Sequence, residues 1–134
     1  MPTTKHQFKD THQSFERSGK QLTFSQGKLA LQANASITVK FQDTVALFST
    51  VMAKDPKSLD TDFLPLMVDM RESFSAAGRI GGAAYRRREG RPSDQAILNA
   101  RLTDRSVRPM FPKGMINDVV VTITPLAMDP NYPL

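Results

Sequence analysis

From Leu29 to Phe41 every odd-numbered position is apolar: Leu29, Leu31, Ala33, Ala35, Ile37, Val39 and Phe41, with Thr38 and Lys40 among the residues opposite. A two-residue period puts successive side chains on opposite sides of an extended chain, so such a run buries one face as β structure. Residues 21–25 alternate in the same way. Gln42-Asp43 separates the long run from residues 44–52, where Val45, Ala46, Leu47, Phe48 and Val51 mark a more central strand. Gly19-Lys20 and Gln26-Gly27-Lys28 read as turns. Together these segments predict a meander of antiparallel strands. Residues 1–18 read either as an arm without periodicity or as a first short strand.

Beyond an acidic loop at residues 55–62, residues 63–70 are apolar apart from Asp69 and predict a further strand. Residues 118–125, built on Val119-Val120-Val121-Thr122-Ile123, are strongly β-branched and predict another. Between them, residues 71–91 show no period and contain Gly78, Gly81, Gly82 and Gly90, which predicts a long loop of the functional kind. Pro92-Ser93-Asp94 then opens a helix, with Ser93 as N-cap and Asp94 complementing the positive end of the dipole. Pro109 ends it near Arg108. The fold class is α+β: an antiparallel or mixed sheet with one main helix after a long basic loop. The length of 134 residues suits one domain. One helix leaves a sheet face poorly covered, so the chain reads as part of a larger domain or as one covered by a partner.

Charge is concentrated in the same loop and helix. Nine of the ten arginines lie between Arg71 and Arg108, against four acids, so this segment carries the whole net charge of +5. Elsewhere nine acids balance nine bases, and eight of those bases are lysine. Arginine makes forked hydrogen bonds to phosphate oxygens and stacks on flat rings, which lysine does not. An arginine-only patch therefore points to a polyphosphate partner. In the loop, Tyr85-Arg86-Arg87-Arg88-Glu89-Gly90-Arg91 places a ring beside guanidinium groups, which suits single-stranded nucleic acid: the ring stacks on a base while the arginines hold the backbone. The alternative is a solvated basic loop. In the helix, Arg101, Arg105 and Arg108 fall within an arc of about 60°. Leu98 and Leu102 adjoin that arc, which would set the arginines beside a buried stripe. Asp104 is in reach of Arg101 and Arg108 but cannot neutralise all three arginines.

Other chemistry is thin. There is no cysteine, which excludes a disulfide scaffold and a thiolate metal site. Asp60-Thr61-Asp62 reads as an exposed acidic loop, His6 and His12 lack ligand spacing, and Ser73, Ser75 and Ser93 have no histidine nearby in sequence. No phosphate-cradling glycine loop and no acid/base pair stand out. The polar first fifteen residues are not a secretory signal, and no apolar run approaches the ~20 residues of a membrane span. The expectation is a soluble, cytoplasmic protein without a membrane partner. The residues alone thus reach an RNA or DNA phosphate binder and no reaction.

Three stretches carry a more specific likeness. Ala76-Ala77-Gly78-Arg79-Ile80-Gly81-Gly82, then Arg88-Glu89-Gly90-Arg91-Pro92-Ser93, then residues 100–112, Ala-Arg-Leu-Thr-Asp-Arg-Ser-Val-Arg-Pro-Met-Phe-Pro, resemble in order the first core domain of the bacterial polynucleotide phosphorylases, a ribonuclease PH-like fold. Gly27, residues 31–33, Asp43-Thr44 and residues 62–66 extend the likeness upstream, so that it covers about residues 15–129. The resemblance implies a phosphate-dependent 3′→5′ exoribonuclease, a polyribonucleotide nucleotidyltransferase acting in mRNA turnover. In that family inorganic phosphate attacks the 3′-terminal linkage of single-stranded RNA and releases nucleoside diphosphates, with Mg2+ as cofactor. It also implies a homotrimeric ring with a central RNA channel, and RNA-degradation partner proteins.

The family's channel constriction has two aromatics followed by two basic residues. Tyr85-Arg86-Arg87-Arg88 aligns there, with Arg86 in place of the second aromatic and an apparent one-residue insertion in residues 81–84. The resemblance thus assigns RNA binding to Tyr85, Arg86, Arg87, Arg88 and Arg91, with less stacking and more backbone electrostatics than usual. Arg101, Arg105 and Arg108 match helix arginines facing the RNA path or an anion site. The family's acidic pair, lysine and serine-rich phosphate loop belong to a second core domain and have no match in this sequence. Residues 1–134 therefore read as the N-terminal portion of a first core domain, truncated at its C-terminus, with no catalytic or metal-binding residue and no activity alone. Two other readings stand beside it: a non-catalytic RNA-binding subunit of an exosome-like ring, and a basic DNA-binding domain. The glycine-rich aromatic loop and the lack of a helix-turn-helix pattern speak against the last.

Overall fold

The structure, a computed structural model, describes residues 11–56, 63–80 and 92–131. Six strands form one sheet: β1 (Thr11–Arg17), β2 (Lys20–Gln26), β3 (Ala35–Phe41), β4 (Thr44–Met52), β5 (Leu66–Met70) and β6 (Val119–Ala127). Their spatial order is β1-β2-β3-β4-β6-β5. The first four form the predicted antiparallel meander, and β6 continues it against β4. β5 runs parallel to β6, so the sheet is mixed. The helix α1 (Asp94–Val107) lies in the connection between β5 and β6, which is the long crossover that a parallel pair needs.

The turns explain the register. Arg17 pairs with Lys20 across Ser18 and Gly19, both with positive φ (54° and 72°), as the favoured two-residue hairpin requires. Gln42, also left-handed at φ 54°, turns β3 into β4. The first part of the alternating run is not strand. Ala30 is left-handed at φ 52°, the Ala33 N–H donates to the Ala30 carbonyl, and Asn34 Oδ1 accepts the Met52 N–H. A turn at Ala30 and the Asn34 side-chain bond to Met52 thus take the place of strand pairing over residues 29–34, and β3 begins at Ala35. Within residues 71–91, which the sequence predicts to be a long loop, Phe74–Ala77 forms a short 3-10 turn closed by Gly78 at φ 65°.

Residues paired directly across strands share a face. One such row runs Ile37, Phe48, Ile123, Met70, and against its β5 end sits α1. Met70, Ile123, Ala96 and Ala100 form the packed cluster there, with Phe48 and Val68 against it. The same face continues over β1–β3 as Phe15, Leu22 and Phe41, then Phe24 and Val39, with no helix above it among the described residues. Phe15 and Phe24 meet edge to face at 5.9 Å, yet Phe15 stays exposed. The described residues bury eight apolar side chains, and four of these are alanine, so hydrophobic anchoring is modest. The expectation of a half-covered sheet agrees with this arrangement.

Candidate nucleic-acid interface

Helix α1 is seated by an unusual division of labour. Its buried residues are Ala96 and Ala100, whereas Leu98 and Leu102 are 60 % and 65 % exposed. The buried stripe inferred from Leu98 and Leu102 is therefore corrected. Alanine has no side chain beyond Cβ, so the helix backbone comes close to β5 along this line, and the larger leucines face away. Little apolar area is buried per turn, and polar bonds hold the two ends.

At the N-terminal end, Ser93 is the N-cap, as its sequence context predicts. Its Oγ accepts the Ala96 N–H at 3.1 Å and donates to Glu72 Oε1 at 2.9 Å. The Ser93 N–H donates to Glu72 Oε2 at 3.1 Å. Glu72 lies two residues beyond β5, so the start of the helix is tied to the end of that strand.

At the C-terminal end, Arg108 supplies the fastening. Its Nη1 donates to the Leu64 carbonyl at 2.8 Å and its Nη2 to the Leu66 carbonyl at 3.3 Å. Nη2 also donates to Asp104 Oδ1 at 2.9 Å and Oδ2 at 3.2 Å. Leu64 and Leu66 stand at the start of β5, so the end of the helix is tied to the beginning of the same strand. Asp104 pairs with Arg108, one of the two arginines in its reach.

Arg101 and Arg105 are different. Both are exposed, and neither forms an ion pair or side-chain hydrogen bond among the described residues. Arg101 edges a shallow cleft of about 190 Å³ between α1 and β5, together with Asp69, Ile97 and Pro92. A larger cleft of about 690 Å³ opens between the 3-10 turn and the helix start. Arg71, Arg79, Ser73, Phe74 and Ser93 line it. Arg71 there meets Asp69 only at 3.5 Å. The three arginines thus share a segment but not a condition: two present exposed guanidinium groups with no partner among the described residues, and the third is engaged by the fold.

Tyr85, Arg86, Arg87, Arg88 and Arg91 lie outside the described residues, as do His6 and Asp60-Thr61-Asp62. The described residues on either side, Ile80 and Pro92, belong to the segments that Glu72 and Ser93 fasten together. Sequence reasoning does not single out Glu72. Its partner is 21 positions away, and a lone glutamate after a strand carries no local signal. Among the described residues no three acidic, histidine or cysteine side chains converge on a point that could hold a metal ion. No described helix is long and apolar enough to cross a membrane.

Comparison with known proteins locates this arrangement. The 3′ exoribonuclease family, domain 1, matches residues 18–132. A protein named polyribonucleotide nucleotidyltransferase from Staphylococcus saprophyticus is 48 % identical over 116 residues, covering 87 % of this chain and 16 % of its own length. Its namesake in Roseiflexus sp. is 46 % identical over 116 residues, 87 % of this chain and 15 % of its own length. That of Salinispora arenicola is 50 % identical over 112 residues, 84 % and 14 % respectively. The chain spans about 15 % of the length of the curated relatives it matches.

Proposed function

The chain belongs to the 3′ exoribonuclease family, domain 1, and on that footing we propose that it is the RNA-gripping first portion of a polyribonucleotide nucleotidyltransferase. The whole enzyme would cleave RNA from its 3′ end with inorganic phosphate and release nucleoside diphosphates. The observation that carries this reading is the span of the family match, which contains the entire arginine segment from Arg71 to Arg108.

Within this portion the division of roles follows from charge and geometry. Tyr85, Arg86, Arg87, Arg88 and Arg91 supply a ring and a dense set of cations to a single strand, the combination that holds RNA by stacking and backbone contact. Arg101 and Arg105 extend the cationic path along α1, and their exposed guanidinium groups, without a partner among the described residues, favour that role. Mg2+ as cofactor and inorganic phosphate as co-substrate are part of the same proposal for the whole enzyme. A cytoplasmic homotrimeric ring with RNA-degradation partners is part of the same proposal.

The test is a phosphorolysis assay on the product of the complete reading frame, with single-stranded RNA, magnesium and inorganic phosphate. Phosphate-dependent release of nucleoside diphosphates is expected. RNA binding without diphosphate release would replace this reading with a non-catalytic RNA-binding ring subunit. Neither activity would leave a shared fold only.

A further inference from the structure

We propose that Arg108 is a positioning residue, which holds α1 on β5 so that Arg101 and Arg105 meet the RNA, and that it is not itself an RNA contact. This rests on the RNA-gripping role proposed above. Arg108 spends its Nη1 on the Leu64 carbonyl and its Nη2 on the Leu66 carbonyl and on both oxygens of Asp104. The fork thereby joins three backbone and side-chain acceptors that only a planar, two-pronged donor can serve together. Its charge is matched by the Asp104 carboxylate, half-buried beside it. Its Nε–H and the second Nη1–H take no acceptor among the described residues, but turning the fork onto a phosphate would release two carbonyls at the mouth of β5 and the Asp104 carboxylate.

The need for such a fastening comes from the helix itself. Ala96 and Ala100 give α1 little apolar grip on the sheet, so its rotation and its distance from β5 depend on polar bonds at both ends. Arg101 stands seven residues before Arg108 and Arg105 three residues before it, which places all three on one side of the helix. A helix end released from Leu64 and Leu66 can roll, and Arg101 and Arg105 would roll with it. Arg108 therefore acts on RNA through its two neighbours.

A residue that acts through others loses its effect once they are gone, whereas an independent contact does not. The experiment is a double-mutant cycle on RNA affinity and its salt dependence in the product of the complete reading frame. Arg108→Gln is made in the wild type and in an Arg101→Ala/Arg105→Ala background. The expected result is about a tenfold loss of affinity in the wild type and less than twofold in the doubly substituted background. Arg108→Lys, which keeps the charge but not the fork, should behave like Arg108→Gln. An equal loss in both backgrounds, with the salt slope falling by about 0.7 for one phosphate contact, would make Arg108 an RNA contact and overturn the proposal. No loss in either background would overturn it as well.

If Arg108→Gln fails to fold, Asp104→Ala takes its place in the doubly substituted background. Positioning predicts unchanged affinity there, and an RNA contact predicts tighter binding by the freed guanidinium. A wild-type protein that binds no RNA would sink the RNA-gripping role and not the fastening. The fastening is then judged by amide hydrogen exchange at Leu66, which should accelerate in Arg108→Gln and would stay unchanged if the bonds to Leu64 and Leu66 do not form in solution.

Discussion

The carboxylate of Glu72 receives both the backbone N–H and the hydroxyl of Ser93, at 3.1 and 2.9 Å, across 21 positions of sequence. The same hydroxyl oxygen accepts the Ala96 N–H. Serine is suited to this because one oxygen both donates and accepts. The chain leaving β5 and the chain entering α1 are thereby joined at one point, and residues 81–91, with a ring and four arginines, lie between Glu72 and Ser93 in sequence.

This junction makes an uncommon demand on the capping position. Aspartate is ordinarily as good an N-cap as serine. Here a second carboxylate at the cap would face Glu72 with no proton to give, so Ser93→Asp should destabilise the helix start by about as much as Ser93→Ala, on the order of 1 kcal/mol. Amide hydrogen exchange at Ala96 and Ile97 in the complete protein measures it. Wild-type protection in Ser93→Asp would mean that the Glu72 contact does not form in solution.

The seat of α1 gives a prediction about size. Ala100 is buried against Met70 and Ile123, so Ala100→Leu adds volume where the helix meets the strand and should cost about 1–3 kcal/mol. Ala96→Gly, which removes volume and weakens the helix, should cost at least about 1 kcal/mol. Thermal unfolding midpoints, compared between variants of the same protein, decide. Insensitivity to Ala100→Leu would show that the helix is held farther from β5 than described.

Much of the fold is legible in the sequence, for a local reason. The strand at Thr44–Met52 and the cap at Ser93 fall where sequence places them because alternation and capping are properties of neighbouring residues. The alternation of Leu29 to Ala33 misleads because Ala30 takes a left-handed conformation and Asn34 bonds Met52, neither of which leaves a mark in hydropathy. The helix face misleads because hydropathy marks leucine as the residue to bury, while the close approach to β5 selects alanine at positions 96 and 100. The parallel pairing of β5 with β6, the Glu72–Ser93 junction and the bonds from Arg108 to Leu64 and Leu66 all join residues far apart in sequence, so no window of sequence contains them. The arginine cluster is plain in the sequence, but the separate condition of Arg108 is not.

Gly78 tests the short turn that sequence does not foresee. It ends the 3-10 turn at φ 65°, and its N–H bonds the Ser75 carbonyl at 3.0 Å. No atom of the described residues lies within 4 Å of where a Cβ would stand, so the penalty of Gly78→Ala is conformational, about 1 kcal/mol. Asparagine tolerates this conformation better, so Gly78→Asn should cost less than Gly78→Ala. The order of the two thermal midpoints checks the point, and the reverse order would contradict the left-handed geometry.

The exposed arginines yield the prediction that bears most directly on RNA. Each phosphate contact to a single strand releases counterions and contributes about 0.7 to the slope of log affinity against log salt. Arg101→Ala and Arg105→Ala should each reduce the slope by about that amount. Neither residue has an ion pair to lose among the described residues, so stability should change by no more than about 0.5 kcal/mol. The triple change of Arg86, Arg87 and Arg88 to alanine should reduce the slope by about 2, since three contacts are lost together. Salt titrations of single-stranded RNA binding, run on the complete protein, separate the two sets. A slope that falls for the loop and not for Arg101 or Arg105 would confine RNA contact to the loop. A slope unchanged by all five substitutions would remove phosphate contact from these five arginines and leave Arg91 as the remaining loop cation to test.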